Sequence, residues 1–269
     1  MSQPGETAYA KVNLALHVRG KLPDGYHRIE TIFAFCEDGD RLSAEDAPTA
    51  SLEVAGEFGA SLPESGNLVL SAADALREAS GMDRAAAIRL TKSLPVASGL
   101  GGGSADAAAA LRLLNYLWDL RLPLEELEEI GRGLGADVAA CVHSTTIRGD
   151  DRGDELEAID LDLAGTPILL VNPRVELATS DVFARWDGYD RGPLNDWRHG
   201  RNDLEAAAST MVPQIGSILA WLSTQRGVSC VRMSGSGATC FALFDSEADR
   251  DSAETGVPRE WWRLATRLR

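Results

Sequence analysis

The stretch Pro95-Val-Ala-Ser-Gly-Leu-Gly-Gly-Gly-Ser-Ala-Asp-Ala-Ala-Ala109 joins a glycine-rich loop to a strongly helical tract, Ala105–Trp118. Upstream, Ala87–Thr91 alternates apolar and polar residues in the manner of a strand. A glycine-rich loop between a strand and a helix leaves several backbone N–H groups uncovered by side chains and pointing at one place. The helix dipole adds about half a positive charge there. The stretch therefore predicts an anion pocket suited to the phosphates of a nucleotide.

The loop differs from the two commonest phosphate-binding motifs. No Gly-Lys-Ser/Thr sequence closes it, which excludes a P-loop, and Ser104 stands where the dinucleotide fingerprint has Gly or Ala. The remaining alternative is a flexible Gly/Ala-rich linker. Because linkers seldom lie between a strand and an uninterrupted helix, the phosphate-binding interpretation is favoured.

The composition indicates a folded, acidic protein that does not bind polyanions. The chain has 269 residues, 44% of them hydrophobic, which is enough for one large domain or two of ordinary size. Its formal net charge of −15 argues against partners such as nucleic acid or an anionic membrane. The polar first residues, and the lack of an apolar stretch as long as a membrane span, predict a cytoplasmic protein.

The cysteines predict no metal site and no disulfide framework. Cys36, Cys141, Cys230 and Cys240 are scattered and form no CxxC pair. We therefore expect buried, reduced thiols.

The order of elements favours an α+β fold over a doubly wound sheet, because strands and helices mix without regular βαβ repeats. Strands are predicted at Thr7–Arg19, Arg28–Phe35, Asp40–Ser43, Ser51–Ala55, Ala87–Thr91, Pro167–Val171, Val228–Met233, Thr239–Asp245 and Trp262–Leu268. Helices are predicted at Asn67–Ser80, Ala105–Trp118, Pro123–Gly133, Asp137–His143, Ser180–Trp186, Asn202–Ala208 and Pro213–Gln225. A polar break near Gly149–Gly153 suggests two domains, 1–160 and 161–269.

Three segments could complete a phosphoryl-transfer site, which needs fixed phosphates, a positioned hydroxyl and positive charge. Lys11 and Asn13 project from one face of a strand; the alternative is an ordinary surface edge strand. Asp137 follows Gly133-Leu-Gly135 and could take a hydroxyl proton; the alternative is a helix N-cap. The stretch Ser234-Gly-Ser-Gly-Ala238 allows close backbone approach to a ligand; the alternative is a tight hairpin.

Taken together, these motifs resemble those of a known family. Ala10-Lys-Val-Asn-Leu14, Leu100-Gly-Gly-Gly-Ser-Ala-Asp106 and Arg232-Met-Ser-Gly-Ser-Gly-Ala238 are similar, in order and spacing, to the three signature motifs of the GHMP small-molecule kinases. Leu22-Pro-Asp-Gly-Tyr-His27, Leu134-Gly-Ala-Asp-Val138 and Arg201-Asn-Asp-Leu-Glu205 resemble one branch of that family. The resemblance implies a two-lobed fold with a ribosomal-protein-like N-terminal lobe and a ferredoxin-like C-terminal lobe.

The same resemblance implies an activity. Enzymes of this branch use ATP and Mg2+ to phosphorylate the 2-hydroxyl of a cytidine diphosphate conjugate of methylerythritol, in the non-mevalonate route to isoprenoid precursors. The expected partner is thus a small-molecule substrate, with no nucleic acid and no membrane, bound by a monomer or homodimer.

Site residues follow from the matched positions. Lys11 and Asp137 would be the catalytic pair, with the carboxylate taking the hydroxyl proton and the ammonium screening the transferring phosphoryl group. Ser104 would also lie near magnesium. The residues implied for ATP are Pro95, Val96, Ala97, Ser98, Gly99, Leu100, Gly101, Gly102, Gly103, Ser104, Ala105, Asn67 and Lys92. Those implied for the substrate are Asn13, Tyr26, His27, Thr179 and Phe183.

Tyr26 and His27 distinguish this branch from its relatives. Two flat side chains on the Pro23-Asp-Gly25 turn suit stacking on, and hydrogen bonding to, a cytosine ring. The alternatives are a kinase of the same fold acting on homoserine or mevalonate, which offer no cytosine, and a non-catalytic nucleotide-binding module. Ala105 and Ala139 depart from the usual serine and proline of the motifs, and neither removes a residue assigned to chemistry.

Overall fold

The computed structural model describes residues 3–62 and 66–269. The chain forms two compact units, each assembled from separate stretches. The first unit consists of the residues up to Ala10, Asp38–Val96 and Gly101–Ser144, and the second of Lys11–Glu37, Ala97–Leu100 and Thr145–Arg269. The predicted division at residue 160 stays a prediction.

Two long strands supply residues to both units. They are β1 (Gly5–Lys21) and β2 (His27–Ala47). The sequence predicted two short strands in place of β2, because Glu37-Asp-Gly-Asp40 is typical of a turn. The strand continues instead, and Arg41–Ala47 pairs antiparallel with the fourth strand.

The first unit packs helices against strands. Its further strands are β3 (Ser51–Ala55) and β4 (Ala85–Thr91), which pair in parallel. Its helices are α1 (Leu68–Ser80), α2 (Gly102–Leu117), α3 (Leu124–Arg132) and α4 (Ala136–His143). Every residue from Ala105 to Leu111 of α2 is buried, because the alanine run lets neighbouring helices approach on several sides.

The second unit contains a hairpin and a four-stranded antiparallel sheet in the order β10-β7-β9-β8. The hairpin strands are β5 (Ile147–Asp151) and β6 (Glu155–Ala158). The sheet strands are β7 (Pro167–Asn172), β8 (Val228–Met233), β9 (Cys240–Phe244) and β10 (Trp262–Arg267). The helices are α5 (Thr179–Phe183), α6 (Glu205–Met211), α7 (Gln214–Ser223) and α8 (Glu247–Gly256).

The fold is α+β, as the sequence predicted, with one helix that sequence patterns missed. Helix α8 begins after Ser246, whose Oγ accepts the Asp249 N–H at 3.2 Å. Only Arg250 and Ala253 are buried along it, so it has too few apolar residues for a helical period to be seen. In the part of the chain that the structure describes, no helix combines the length and apolarity needed to cross a membrane.

Three of the four thiols are buried as predicted, those of Cys36, Cys141 and Cys240, whereas Cys230 is partly buried. None of these four cysteines forms a disulfide.

Candidate active site

Lys11 and Asn13 lie on β1 with their side chains almost completely buried. Their exposed fractions are 3% and 2%, so the alternative of an ordinary surface edge strand is wrong. A buried ammonium is costly unless polar groups surround it. The surroundings of Lys11 therefore decide what it can do.

A chain of hydrogen bonds in the second unit holds the Lys11 side chain. Lys11 Nζ donates to Asn13 Oδ1 at 3.0 Å, and Asn13 Nδ2 donates to Thr31 Oγ1 at 2.8 Å. The hydroxyl of Thr31 then donates to the backbone oxygen of Ala15 at 2.7 Å. The ammonium also lies over the ring of Phe33, 4.7 Å from its centre. It is thus held by an amide oxygen and an aromatic face.

The stretch predicted as a polar break helps to place that ring. Gly149 lies in β5, paired with Thr31 of β2, and the chain turns into β6 after Asp151. A Cβ on Gly149 would lie 2.8 Å from Cε2 of Phe33. The glycine therefore makes room for the ring on which Lys11 rests, and the stretch is a hairpin rather than a break.

The loop Ser234–Ala238 connects two of the predicted motifs within the second unit. Ser234 Oγ accepts the Asn13 N–H at 3.1 Å and donates to the Gly99 backbone oxygen at 2.8 Å. Gly99 has φ of +80°, and a Cβ there would lie 2.2 Å from the Ser234 backbone oxygen. No residue with a side chain fits this contact. The loop therefore does more than close a hairpin, because it fixes the glycine loop beside β1.

Asn202, in the segment Arg201–Glu205, holds the same loop from its other side. Its Nδ2 donates to the backbone oxygens of Met233 and Gly235, both at 2.8 Å. Its Oδ1 accepts the Leu204 N–H at 3.0 Å. The sequence predicted that Asn202 caps a helix, which is wrong, because α6 begins at Glu205 with Leu204 as its N-cap. Asn202 instead clamps the loop, a role that no local pattern shows.

The remainder of the glycine loop opens α2 in the first unit. Gly101 has φ of +62°, and the helix begins at Gly102, three residues before the predicted start. The first helical hydrogen bond runs from the Ala105 N–H to the Gly101 oxygen at 2.8 Å. The amides of Gly102, Gly103 and Ser104 therefore have no acceptor inside the helix, and such amides suit an anion.

Lys92 lies beneath Gly102, in an ionic cluster that the sequence did not predict. Its Nζ is 2.5 Å from Asp40 Oδ2 and 2.6 Å from Asp106 Oδ2. A Cβ on Gly102 would come within 2.9 Å of Nζ. Asp40 also accepts the backbone N–H groups of Ser93 and Leu94 with its Oδ1. Lys92 thus supports the glycine loop from below, with only 1% of its surface exposed.

The two carboxylates compete for one ammonium. Burial raises the pKa of Asp106 to about 7, and the charge of Asp40 adds to that increase, although Lys92 opposes it. Burial favours a lower pKa for Lys92, but the charges of Asp106 and Asp40 outweigh it and raise that pKa. Asp106 Oδ1 is buried and has no hydrogen-bond partner. The cluster therefore keeps the lysine charged and leaves Asp106 close to protonation at neutral pH.

Asn67 and Asp137 are placed by helix starts in the first unit. Asn67 is the N-cap of α1, and its Oδ1 accepts the Val69 N–H at 2.9 Å. The cap of α4 is Gly135, and Asp137 lies in the first turn of the helix. The alternative of an Asp137 N-cap is therefore wrong. Lys11 belongs to the second unit and Asp137 to the first, and their action as a pair stays a prediction.

His27 and Phe183 come together in a cleft of about 390 Å3 in the second unit. Their ring centres are 5.0 Å apart, and Trp186 meets His27 edge-on at 5.6 Å. Burial, and then the charge of Lys21, lowers the pKa of His27 below its ordinary 6.5. The imidazole is thus neutral at pH 7. The cleft is lined by Arg19, Gly20, Lys21, His27, Phe183, Ala184, Trp186 and Gly188.

Tyr26 and Thr179 have different surroundings. Tyr26 is 59% exposed, and the guanidinium of Arg152 lies over its ring, 4.8 Å from the centre. Thr179 begins α5, and its Oγ1 is 3.0 Å from Ser236 Oγ in the Ser234–Ala238 loop. The sequence did not single out Trp186 or Thr31, because neither belongs to a motif.

Comparison with known proteins gives one consistent result. The sequence profile described as "GHMP kinases N terminal domain" matches residues 67–145, and "GHMP kinases C terminal" matches 191–263. A protein of Rhizorhabdus wittichii named 4-diphosphocytidyl-2-C-methyl-D-erythritol kinase is 54% identical, over 99% of this chain and 95% of that protein. One of the same name from Novosphingobium aromaticivorans is 52% identical, over 98% and 92%.

Solved structures agree with the sequence relatives. A crystal structure of 4-(cytidine 5'-diphospho)-2C-methyl-D-erythritol kinase superposes with a TM-score of 0.82 at 29% identity, covering 98% of both chains. A homoserine kinase from Cytophaga hutchinsonii gives a TM-score of 0.72 at 17% identity, covering 96% of this chain and 95% of that one. The second likeness shows a shared fold alone.

Proposed function

The chain belongs to the GHMP kinase family, and from that premise we propose that it transfers the γ-phosphoryl group of ATP to the 2-hydroxyl of 4-diphosphocytidyl-2-C-methyl-D-erythritol. Relatives at 54% and 52% identity over nearly the whole chain bear that kinase's name. The observation that carries the chemistry is the buried Lys11 ammonium, held by Asn13 Oδ1 and the Phe33 ring. These contacts hold the ammonium in one place, as a group that screens a migrating phosphoryl group requires.

In the proposed reaction the substrate hydroxyl oxygen forms a bond to the γ-phosphorus of ATP. The bond from that phosphorus to the β–γ bridging oxygen breaks, and ADP leaves. Asp137 takes the hydroxyl proton. Lys11 screens the negative charge on the migrating group, and its fixed position means that little reorganisation is needed during the reaction.

The glycine loop is the proposed ATP phosphate site. The amides of Gly102, Gly103 and Ser104 supply donors at the start of a 16-residue helix, where the dipole favours negative charge. Lys92 supports this turn from beneath through Asp40 and Asp106. We assign Lys92 this supporting role.

Magnesium fits the same site through the Ser104 hydroxyl, a neutral oxygen donor. Among residues 3–62 and 66–269, no group of three or more His, Cys, Asp or Glu side chains could hold a metal ion. This donor set suits Mg2+, which binds to phosphate oxygens and keeps several waters rather than occupying an all-protein cage. When bound, the ion neutralises phosphate charge.

The proposed substrate site is the cleft of His27 and Phe183, together with Tyr26, Asn13 and Thr179, all of the second unit. A pyrimidine is flat, and aromatic rings offer it a stacking surface. A neutral imidazole can both donate and accept a hydrogen bond, which matches the edge of a cytosine. Homoserine and mevalonate present no such ring.

The test is an ATP-consumption assay with the purified chain and three acceptors: the cytidylylated substrate, homoserine and mevalonate. The proposal expects ADP release and a phosphorylated product with the first acceptor only. Turnover with homoserine or mevalonate would replace it by another kinase of the same fold. ATP binding without turnover on any acceptor would indicate a non-catalytic module.

A further inference from the structure

We infer that Thr31 is a positioning residue that fixes the orientation of the Asn13 side-chain amide and so presents an oxygen, not an NH2 group, to the Lys11 ammonium. The inference rests on the proposed function. The Thr31 side chain belongs to none of the sequence motifs and is completely buried on β2.

The number of protons in the hydrogen-bond chain determines which way each bond runs. A threonine hydroxyl has one proton to donate, and a backbone carbonyl can only accept. The Ala15 oxygen lies 2.7 Å from Thr31 Oγ1, so the hydroxyl proton is directed to Ala15. Thr31 Oγ1 can therefore act only as an acceptor toward its other neighbour.

That neighbour is the Asn13 side chain, 2.8 Å away. Since Thr31 has no second proton to offer, the group facing it must be the amide NH2. The Oδ1 atom is then turned toward Lys11 Nζ, which lies 3.0 Å from it. The reverse orientation would set Oδ1 against a hydroxyl without a free proton, and NH2 against the ammonium.

Burial makes this orientation consequential. Asn13 and Thr31 have exposed fractions of 2% and 0%, so water cannot replace a partner that either side chain loses, and an unsatisfied polar atom there destabilises the fold. The backbone of Asn13 is held separately by Ser234 Oγ at 3.1 Å. Thr31 and Lys11 therefore orient the side-chain amide. The direction of all three hydrogen bonds follows from the Ala15 carbonyl, which can only accept.

The strand geometry places both neighbours of the Lys11–Asn13 pair on one element. Thr31 and Phe33 are two residues apart, so they share a face of β2. Phe33 lies under the ammonium, and Thr31 binds the amide that accepts from it. Phe33 therefore supports the charge from the ring side, while Thr31 determines which polar atom the charge meets.

Thr31→Val removes the hydroxyl at nearly constant volume, and Thr31→Ser keeps it while removing the methyl group. For Thr31→Val we expect kcat to fall by ten- to about a hundredfold, the scale of a small misplacement in a catalytic site. The KM for ATP should change less than about twofold, because neither Thr31 nor Asn13 belongs to the residues proposed to bind ATP, whereas the KM for the substrate should rise, because Asn13 is one of its proposed contacts. Thr31→Ser should restore most of the lost kcat. Equal impairment in both variants, or a wild-type kcat in Thr31→Val, overturns the inference.

A measurement on the wild-type chain does not depend on variants that fold. With 15N-labelled asparagine, the Asn13 Nδ2 protons should show slow exchange and nuclear Overhauser contacts to the Thr31 side chain. Contacts to the Lys11 side chain in place of Thr31 would reverse the orientation and refute the inference. This result stands whether or not the wild type phosphorylates the cytidylylated substrate, so failure of the proposed function is recognised separately.

Discussion

The ammonium of Lys11 lies over the face of Phe33, 4.7 Å from the ring centre. The far edge of that ring lies against β5, where Cε2 is 2.8 Å from the position of a Cβ on Gly149. The charge that we propose to act on the phosphoryl group therefore rests on a ring whose place depends on a glycine. A change at Gly149 should reach Lys11 without touching it.

Gly149→Ala tests this dependence. The added methyl group clashes with Phe33 and with the Gly153 backbone oxygen, also 2.8 Å away. We expect a loss of about 1–3 kcal/mol in the free energy of unfolding, as for overpacked cores, together with a lower kcat. Urea unfolding and steady-state kinetics measure the two effects. The control is Gly216→Ala in α7, where a Cβ meets nothing within 4 Å. A fully active Gly149→Ala variant would contradict the link to Lys11.

Lys11→Met and Asp137→Asn test the catalytic pair. Each should lower kcat by at least about a hundredfold, the scale of losing one transition-state electrostatic contact, while ATP binding persists. Isothermal titration with ATP separates binding from turnover. Arg226→Met, at a side chain that is 93% exposed, controls for loss of a positive charge. Near-normal turnover in both site variants would exclude the mechanism.

Asp106→Asn tests the ionic cluster through pH. Burial raises the pKa of Asp106 to about 7 from 3.8, so between about pH 4 and pH 7 the folded carboxyl binds more protons than the unfolded one. Its contribution to the free energy of unfolding therefore falls as the pH rises through that range. The stability of Asp106→Asn relative to wild type should increase from pH 4 to pH 7 and then level off. Urea titrations measure it, with the exposed Asp74→Asn as control; a difference independent of pH would argue against the raised pKa.

Tyr26→Ala tests the proposed stacking surface. Because Tyr26 is 59% exposed, its removal should change the free energy of unfolding by no more than about 0.5 kcal/mol. The KM for the cytidylylated substrate should rise far more than the KM for ATP. Tyr116→Ala, at a residue that is 76% exposed on α2, is the matched control. Equal increases in both KM values would refute the stacking role.

The neutral state of His27 predicts a pH dependence of substrate binding. Burial and Lys21 hold its pKa below 6.5, so the imidazole stays neutral from pH 8 to about 6.5 and becomes charged only at lower pH. The KM for the cytidylylated substrate should be level across the upper range and change below it. His27→Asn, which cannot become charged, should remove that change. A change centred above pH 7 would contradict the shifted pKa.

Periodicity predicted most of the fold. The alanine tract of α2, the glycine that ends α1 and the apolar strands of the four-stranded sheet all carry local patterns, and the structure has each within a few residues. Helix α8 was not predicted, because its buried face consists of Arg250 and Ala253 and so shows no apolar period. The continuous strand β2 was not predicted, because an Asp-Gly sequence is typical of a turn. Its partner β4 pairs with it from Ala47↔Ala85 to Arg41↔Thr91, far beyond the reach of a local pattern.

The candidate site was predicted where a motif marks it and missed where long-range packing makes it. Lys11, Asn13 and the glycine loop follow from local sequence. Thr31 could not be predicted, because a buried threonine in a strand looks like any other until its partners are known. Asp40 and Asp106 are ordinary acidic residues in sequence, and only their meeting at Lys92 changes their chemistry. The roles of the proposed ligand-binding residues stay predictions.

The bond from Asn13 to Ser234 spans 221 positions of the chain, and this has a consequence during translation. At about 5–20 residues per second, a ribosome needs roughly ten to forty seconds after making Asn13 to supply the serine that receives its N–H. Throughout that interval the apolar side of β1, with Val12, Leu14 and Leu16, has no completed second unit to cover it. A prematurely terminated product would therefore carry Lys11 and Asn13 without the loop that holds the Asn13 backbone.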